Sequence, residues 1–179
     1  GAFSGAERGL YFPAAVPSTT TISLRGVAAT GNTSRAVEFL GQVNGAVMIA
    51  GRSKLVGGKE ALKFAGVVSA TGSVRIESSE LDNVGKTGFN LISFAAALNG
   101  KFVAKQCTLK AEASAVHAAA DVAGTVQLAL NTITTATGHG VSLFSLTSGT
   151  VSVNLGSITS TLASLMTVSD AVDSGSSIT

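Results

Sequence analysis

Residues 124–133 read GTVQLALNTI, and residues 149–158 read GTVSVNLGSI. Each opens on Gly, alternates apolar with polar positions, and closes on Ile nine positions later. A period of two is the periodicity of a strand, in which successive side chains point to opposite faces. Working outward, the same pattern recurs as GAVMIAGRSKL from Gly45, GSVRIESSEL from Gly72 and GKFVAKQCTL from Gly100. The five copies are spaced by 27, 28, 24 and 25 residues. A degenerate sixth, TTISLRGVA, begins at Thr20. Upstream of each Gly lies a weaker segment: AVEF at Ala36, ALKF at Ala61, FNLISF at Phe89, AVHA at Ala115 and GVSLF at Gly140. Phe39, Phe64 and Phe89 fall 25 residues apart.

A repeat of this length carrying two or three short strands fits one coil of a β-solenoid, each strand stacking in parallel on its equivalent roughly 4.8 Å away. The sequence therefore predicts an all-β, single-stranded parallel β-helix of about six coils of roughly 25 residues. Val47, Val74, Phe102, Val126 and Val151 form one inward stack, and Ile49, Ile76, Ala104, Leu128 and Val153 the next. Two opposite-charge pairs, Lys54 with Glu80 and Glu38 with Lys63, fall on equivalent positions of neighbouring coils. The organisation expected is an entry or cap segment at 1–19, coils at 20–168 and a polar C-terminal tail at 169–179. Helix is admissible only over Ala6–Leu10 and Thr161–Val168. An immunoglobulin-like β-sandwich is the alternative, since short spaced strands also describe it. A sandwich gives no reason for one motif to repeat at near-constant spacing.

Composition agrees. Of 179 residues, 45% are hydrophobic and only 12% charged, against about 25% charged in ordinary domains, which excludes disorder and long helices. The formal charge of +2 is unevenly laid out: the last basic residue is Lys110, and no Asp, Glu, Lys or Arg occurs from Val122 to Ser169. The basic groups are not interleaved with aromatic residues, so nucleic acid is not expected as a partner. No run of 18 apolar residues exists, so no membrane span is expected. Cys107 is the only cysteine and forms no internal disulfide. Gly1 in place of Met reads as a processed or added terminus, and no signal peptide is visible.

The opening GLYFPAAVPSTTTISLRGVAATGN, residues 9–32, followed by these coils, resembles the entry to right-handed parallel β-helix proteins of the pectate-lyase-like and phage tailspike kind. The resemblance implies an extracellular, cell-surface or virion setting, frequent homotrimers, and either glycan processing or a structural role.

Catalysis on such a scaffold needs paired carboxylates about 5 to 9.5 Å apart, or a base beside acidic metal ligands. The one tight acidic group is Glu77, Glu80 and Asp82, which with Arg75 and Lys54 makes a candidate surface patch. His117, on the outer face, and His139, in the turn TGHG, lack a carboxylate or Cys at ligand spacing. Cys107 shares its column with Ser53, Ser79, Asn131 and Gly156, which suits a packed thiol better than a nucleophile. GGK at Gly57–Lys59 lacks the full phosphate-loop frame and reads as a turn. Asn131–Gly138, NTITTATG, raises an ice-binding face, but its Thr residues show no matched columns in the sequence. No catalytic residue, cofactor or metal is called for.

The uncharged half points elsewhere. Outward positions of the last coils, Thr125, Gln127, Ser142, Thr150 and Ser152, carry no gatekeeping Lys and form a candidate assembly face. The function expected is a non-enzymatic structural β-solenoid that self-associates, as a homo-oligomer or filament, into an extracellular or virion assembly such as a tail spike, fibre segment or cell-surface sheath. Copies would pack side by side, or stack end on end with the basic half approaching Asp170 and Asp173. A receptor-binding or cell-surface glycan-binding module is the second reading, and a polysaccharide-degrading enzyme the third.

Overall fold

The computed structural model describes residues 1–154, 156–160, 165–170 and 172–179. Strands follow one another in threes, and each three make one coil. The first coil is β1 (Ala2–Gly5), β2 (Leu10–Phe12) and β3 (Thr21–Arg25), and the second is β4 (Ala28–Gly31), β5 (Val37–Phe39) and β6 (Ala46–Ala50). The third is β7 (Lys54–Gly57), β8 (Leu62–Phe64) and β9 (Ser73–Glu77), and the fourth β10 (Glu80–Asp82), β11 (Ile92–Phe94) and β12 (Lys101–Lys105). The fifth is β13 (Thr108–Ala111), β14 (Val116–Val122) and β15 (Thr125–Ala129). The sixth is β16 (Thr132–Thr135), β17 (Val141–Leu146) and β18 (Thr150–Asn154), and the seventh β19 (Ser157–Ser160), β20 (Met166–Val168) and β21 (Ser177–Ile178).

Every third strand pairs in parallel, giving three seven-stranded sheets that wrap one interior: β1 to β19 in the first, β2 to β20 in the second, β3 to β21 in the third. The fold is thus an all-β parallel β-solenoid of about seven coils, one more than the motif count, because β21 carries too little of the motif to be read. Parallel pairing throughout excludes the antiparallel sandwich. No helix occurs among the described residues. Ala6–Leu10, where a helix was admissible, runs through bends into β2, and Met166–Val168 is β20. The remainder of the second admissible helix, residues 161–164, lies outside the described residues.

The leading Gly of the motif is required by the closeness of the coils. A Cβ on Gly100 would overlap the carbonyl oxygen of Gly72, and a Cβ on Gly124 that of Gly100. Neither glycine has a positive φ, so lack of room selects glycine at these two positions. With the corner so fixed, the alternation that follows places Val126 and Leu128 inward at 0% exposure and leaves Thr125 and Gln127 outward and half-buried. Both inward stacks expected from the sequence are present in register.

Of the three Phe residues spaced by 25, two belong to an aromatic column. Phe12, Phe39, Phe64 and Phe94 stack with centroids 4.5, 5.0 and 5.1 Å apart. Phe89 is not among them. Twelve residues separate Glu80 from Ile92 where eight separate the paired Lys54 from Leu62, so the fourth coil carries an extra loop that displaces Phe89 from the column. Phe89 lies under the Lys59 ammonium instead, 5.3 Å from its ring centroid. Asn83, 1% exposed, clasps this loop: its Nδ2 donates to the carbonyls of Lys59, Phe89 and Asn90, and its Oδ1 accepts from the Glu112 amide at 3.0 Å. The column then changes size as a unit. Phe102 stands where other coils carry Val, meets Phe94 edge-on at 5.2 Å, and is accommodated by Ala104 and Ala118 in neighbouring positions.

The corner from the third sheet to the first repeats its backbone conformation. Gly26, Gly51, Ser78, Gln106 and Leu130 have φ of 59, 67, 45, 55 and 54°, and Arg52, an extra residue after Gly51 in the second coil, has 63°. In each of the first five coils a left-handed residue turns the chain here, with a second one in the second coil, and non-glycine residues hold that conformation because the ladders on both sides fix it. Behind the corner, polar atoms close the turn from inside. Ser53 Oγ accepts from the Val27 amide at 3.1 Å and donates to the Ala50 carbonyl at 2.7 Å. Asn131 Oδ1 accepts from the Cys107 amide at 2.9 Å, while its Nδ2 donates to the Ala104 carbonyl at 2.8 Å.

Candidate functional site

Of the five outward residues picked from the last coils, the structure brings four together. Thr125 pairs with Thr150, and Gln127 with Ser152, on the outer face of the third sheet. Ser142 belongs to β17 in the second sheet, so it stands on a different side of the solenoid. The columns continue into β21, where Ser177 follows Thr150. Ala129 and Asn154 complete a face without a charged residue over β15, β18 and β21.

Hydroxyls also line up around the corner, contrary to the reading that the Thr residues have no matched columns. Thr108, Thr132 and Ser157 share one column of the first sheet, and Thr134 and Thr159 share the next. Sequence spacing hid this because Thr108 and Thr132 precede different residue types two positions on, Lys110 and Thr134. The uncharged surface of the last coils therefore spans two sheets.

The Arg75, Glu77, Glu80 and Asp82 group divides at the corner. Arg75 and Glu77 lie on β9 in the third sheet and pair with each other. Glu80 and Asp82 lie on β10 in the first sheet. Glu80 accepts from Lys110 at 3.0 Å and faces Lys54 at 3.6 Å, the cross-coil pair expected from the repeat. Asp82 caps the Val84 amide at 2.9 Å. The Arg75 hydrogen bond holds the Glu77 carboxyl below the usual carboxylate range, helped by the fields of Lys105 and Arg25. The Lys110 hydrogen bond, with Lys54 adding to it, does the same for Glu80.

Between these two halves lies a groove of about 400 Å³ that sequence reasoning missed. It follows the left-handed corner over Arg52, Ser78 and Gln106 and is walled by Lys54, Glu80 and Thr108. The signal was available: Arg52, Ser78 and Gln106 each end the third-sheet segment of their copy, but an isolated Arg in a turn carries no periodicity.

A second missed feature is an ion network near the start of the chain. Glu38, 4% exposed, binds Arg8 at 2.5 Å and Arg35 at 3.5 Å; Glu60 binds Arg35 at 3.0 Å and Lys63 at 3.9 Å. Glu38 and Lys63 are in register as the spacing indicated, yet each carboxylate turns to a nearer partner. Arg35 and Glu60 are one coil length apart, which marks the pair in retrospect.

The remaining chemistry-bearing residues are structural in their surroundings. Burial pushes the Cys107 thiol up, and its Sγ faces the carbonyls of Lys105 and Ile76. Burial also pushes the His117 imidazole down; its Nδ1 lies 3.3 Å from Ser142 Oγ. His139 Nδ1 is buried without a hydrogen-bond partner among the described residues. Gly57 ends β7, and Lys59 donates its amide to the Ser34 carbonyl at 2.7 Å, an ordinary coil turn. Among the described residues, no three His, Cys, Asp or Glu side chains converge as a metal site, and no helix is long and apolar enough to cross a membrane.

The chain matches no family model, no curated protein and no solved structure. The resemblance to pectate-lyase-like and tailspike proteins thus extends to the coarse architecture, a parallel β-helix, and the site must be read from its own residues.

Proposed function

We propose that this chain is a non-enzymatic structural module that self-associates, as a homo-oligomer or filament, within an extracellular, cell-surface or virion assembly. The observation that carries the reading is the outer face of the third sheet over its last coils, where Thr125, Gln127, Thr150 and Ser152 leave a parallel sheet without a charged residue. A solvated sheet face is ordinarily protected by charge, and small hydroxyl and amide side chains instead permit close approach of another surface. Sedimentation velocity of the pure protein over a wide concentration range tests it: concentration-dependent assembly is expected, and a stable monomer at every concentration overturns it.

A receptor- or glycan-binding module is the second reading, favoured by the polar groove along Arg52, Ser78 and Gln106. Glycan-array binding that is lost in Arg52→Ala would establish it. The polysaccharide-degrading reading has less support. Such chemistry needs one carboxyl kept protonated beside one kept ionised, whereas Glu77 and Glu80 are both held ionised by cations.

A further inference from the structure

The outer face of the third sheet has two edges, and their charges are opposite. Each of its strands is entered from the second sheet and left at the corner to the first. Along the exit edge of the early coils stand Arg25, Arg52 and Lys105. At the entry edge of the last coil, between β20 and β21, stand Asp170 and Asp173. Both aspartates are exposed, as are Arg25 and Arg52. Among the described residues, none of these five side chains has a salt-bridge partner, while Glu77 and Glu80 are already taken by Arg75, Lys54 and Lys110. Between the edges lies the uncharged field of Thr125, Gln127, Thr150 and Ser152.

We propose that two copies of this chain pair through this face about a two-fold axis crossing its uncharged centre, so that the acidic edge of each meets the basic edge of the other. A two-fold contact is self-complementary: if one patch touches a second, the second touches the first. Any two patches on one face are exchanged by a two-fold axis running midway between them, and here the midpoint falls on the fifth coil, at Thr125 and Gln127. The small side chains there let the two sheets approach, and Asp170 and Asp173 of the last coil come opposite the exit edge of the third coil, with Arg52 and Lys105 on the coils either side of it. Unpaired charges at the rim select the partner and its orientation. Lys101, at the entry edge of the fourth coil, is a further unpaired cation on this face among the described residues. The pairing rests on the self-association reading above.

The test uses the full chain in sedimentation velocity at low and high salt. Asp170→Lys with Asp173→Lys makes the acid-reversed variant, and Arg52→Glu with Lys105→Glu the base-reversed one. Each alone is expected to weaken dimerisation at least tenfold, with an unchanged circular dichroism spectrum. A one-to-one mixture is expected to recover the dimer, because each reversed edge then meets its opposite across the axis. High salt is expected to weaken the wild-type dimer. If the acid-reversed chain does not fold, Asp170→Asn with Asp173→Asn replaces it, with the same direction of effect. A wild-type assembly indifferent to both reversals, or a mixture that stays monomeric, overturns the pairing and leaves self-association standing. A wild type that is monomeric throughout overturns both.

Discussion

Gly124 lies against the carbonyl oxygen of Gly100, one coil earlier, with no room between them for a methyl group. The contact is backbone on backbone, so no side chain can yield. Gly124→Ala is expected to destabilise the fold by about 1–3 kcal/mol, the cost of overpacking a site that cannot relax. Gly175→Ala is the control, since nothing lies within 4 Å of a Cβ there. Thermal unfolding of both variants checks it, at about 2–4 °C per kcal/mol for a chain of this size.

Phe64 has an aromatic neighbour on either side of its ring, and it is 0% exposed. Phe64→Ala is expected to cost about 3–5 kcal/mol. Phe89→Ala removes only a ring under Lys59, worth about 0.5–1 kcal/mol at an exposed site. Urea denaturation that ranks the two variants equally would contradict the placement of Phe94, rather than Phe89, in the column.

Folding holds the Glu77 and Glu80 carboxyls below their ordinary range, so the folded chain binds fewer protons than the unfolded one in acid. The stabilisation is complete above the unfolded value of about 4.3 and is lost as pH falls through the lowered folded values. Glu80→Gln removes one of these groups and leaves Lys54 and Lys110 facing each other. The variant is expected to be less stable than wild type at neutral pH, by no more than about 1 kcal/mol for so exposed a cluster, and to lose less on acidification. Unfolding midpoints measured from neutral pH into acid check both parts.

His117 has the opposite charge type and the same sign of dependence. Burial favours its neutral form, so the unfolded chain takes up a proton that the folded one resists. Stability is full above the unfolded imidazole value of about 6.5 and falls as pH drops through the depressed folded one. His117→Gln is expected to flatten the stability profile below the unfolded imidazole value of about 6.5. An unchanged slope in that window would show that the imidazole is freely solvated.

Thr125→Lys and Ser152→Lys place an ammonium on the uncharged third-sheet face and are expected to disrupt assembly with the fold intact. Ser142→Lys, on the second sheet, is expected to leave assembly unchanged. Size-exclusion chromatography with circular dichroism separates loss of assembly from loss of fold.

The coil was legible because its constraints are local and repeated. Gly45 to Gly149 mark where neighbouring backbones approach, and period-two alternation marks which side chains face in. Features that interrupt the repeat were not legible. Asn83 and the loop it clasps move the aromatic column from Phe89 to Phe94, and nothing in FNLISF says which Phe is inward. Assignment of outward residues to one face also escaped, because alternation distinguishes in from out and says nothing of which of three sheets a strand joins. Ser142, in an upstream segment, and Thr125, in a Gly-led one, are both outward by alternation and stand on different sheets. The groove at Arg52 was invisible for a further reason: a left-handed corner in a non-glycine residue is imposed by the ladders around it and leaves no mark in local composition.

The Asn83 clasp has a consequence for what the solenoid tolerates. Asn83 fastens the start of the fourth-coil loop to its end, at Phe89 and Asn90, and to Lys59 in the coil before. Gly85 and Gly88, at φ of 78 and 80°, have open space where a Cβ would stand, and the Gly85 amide donates to the Glu112 carboxylate of the next coil at 2.9 Å. The stretch from Val84 to Gly88 thereby lies outside the rungs of the coils, tied to the next coil through the Gly85 amide. It forms a cassette whose contents can be exchanged while Glu80 and Ile92 keep their rungs, and it presents whatever it carries at one fixed height along the axis.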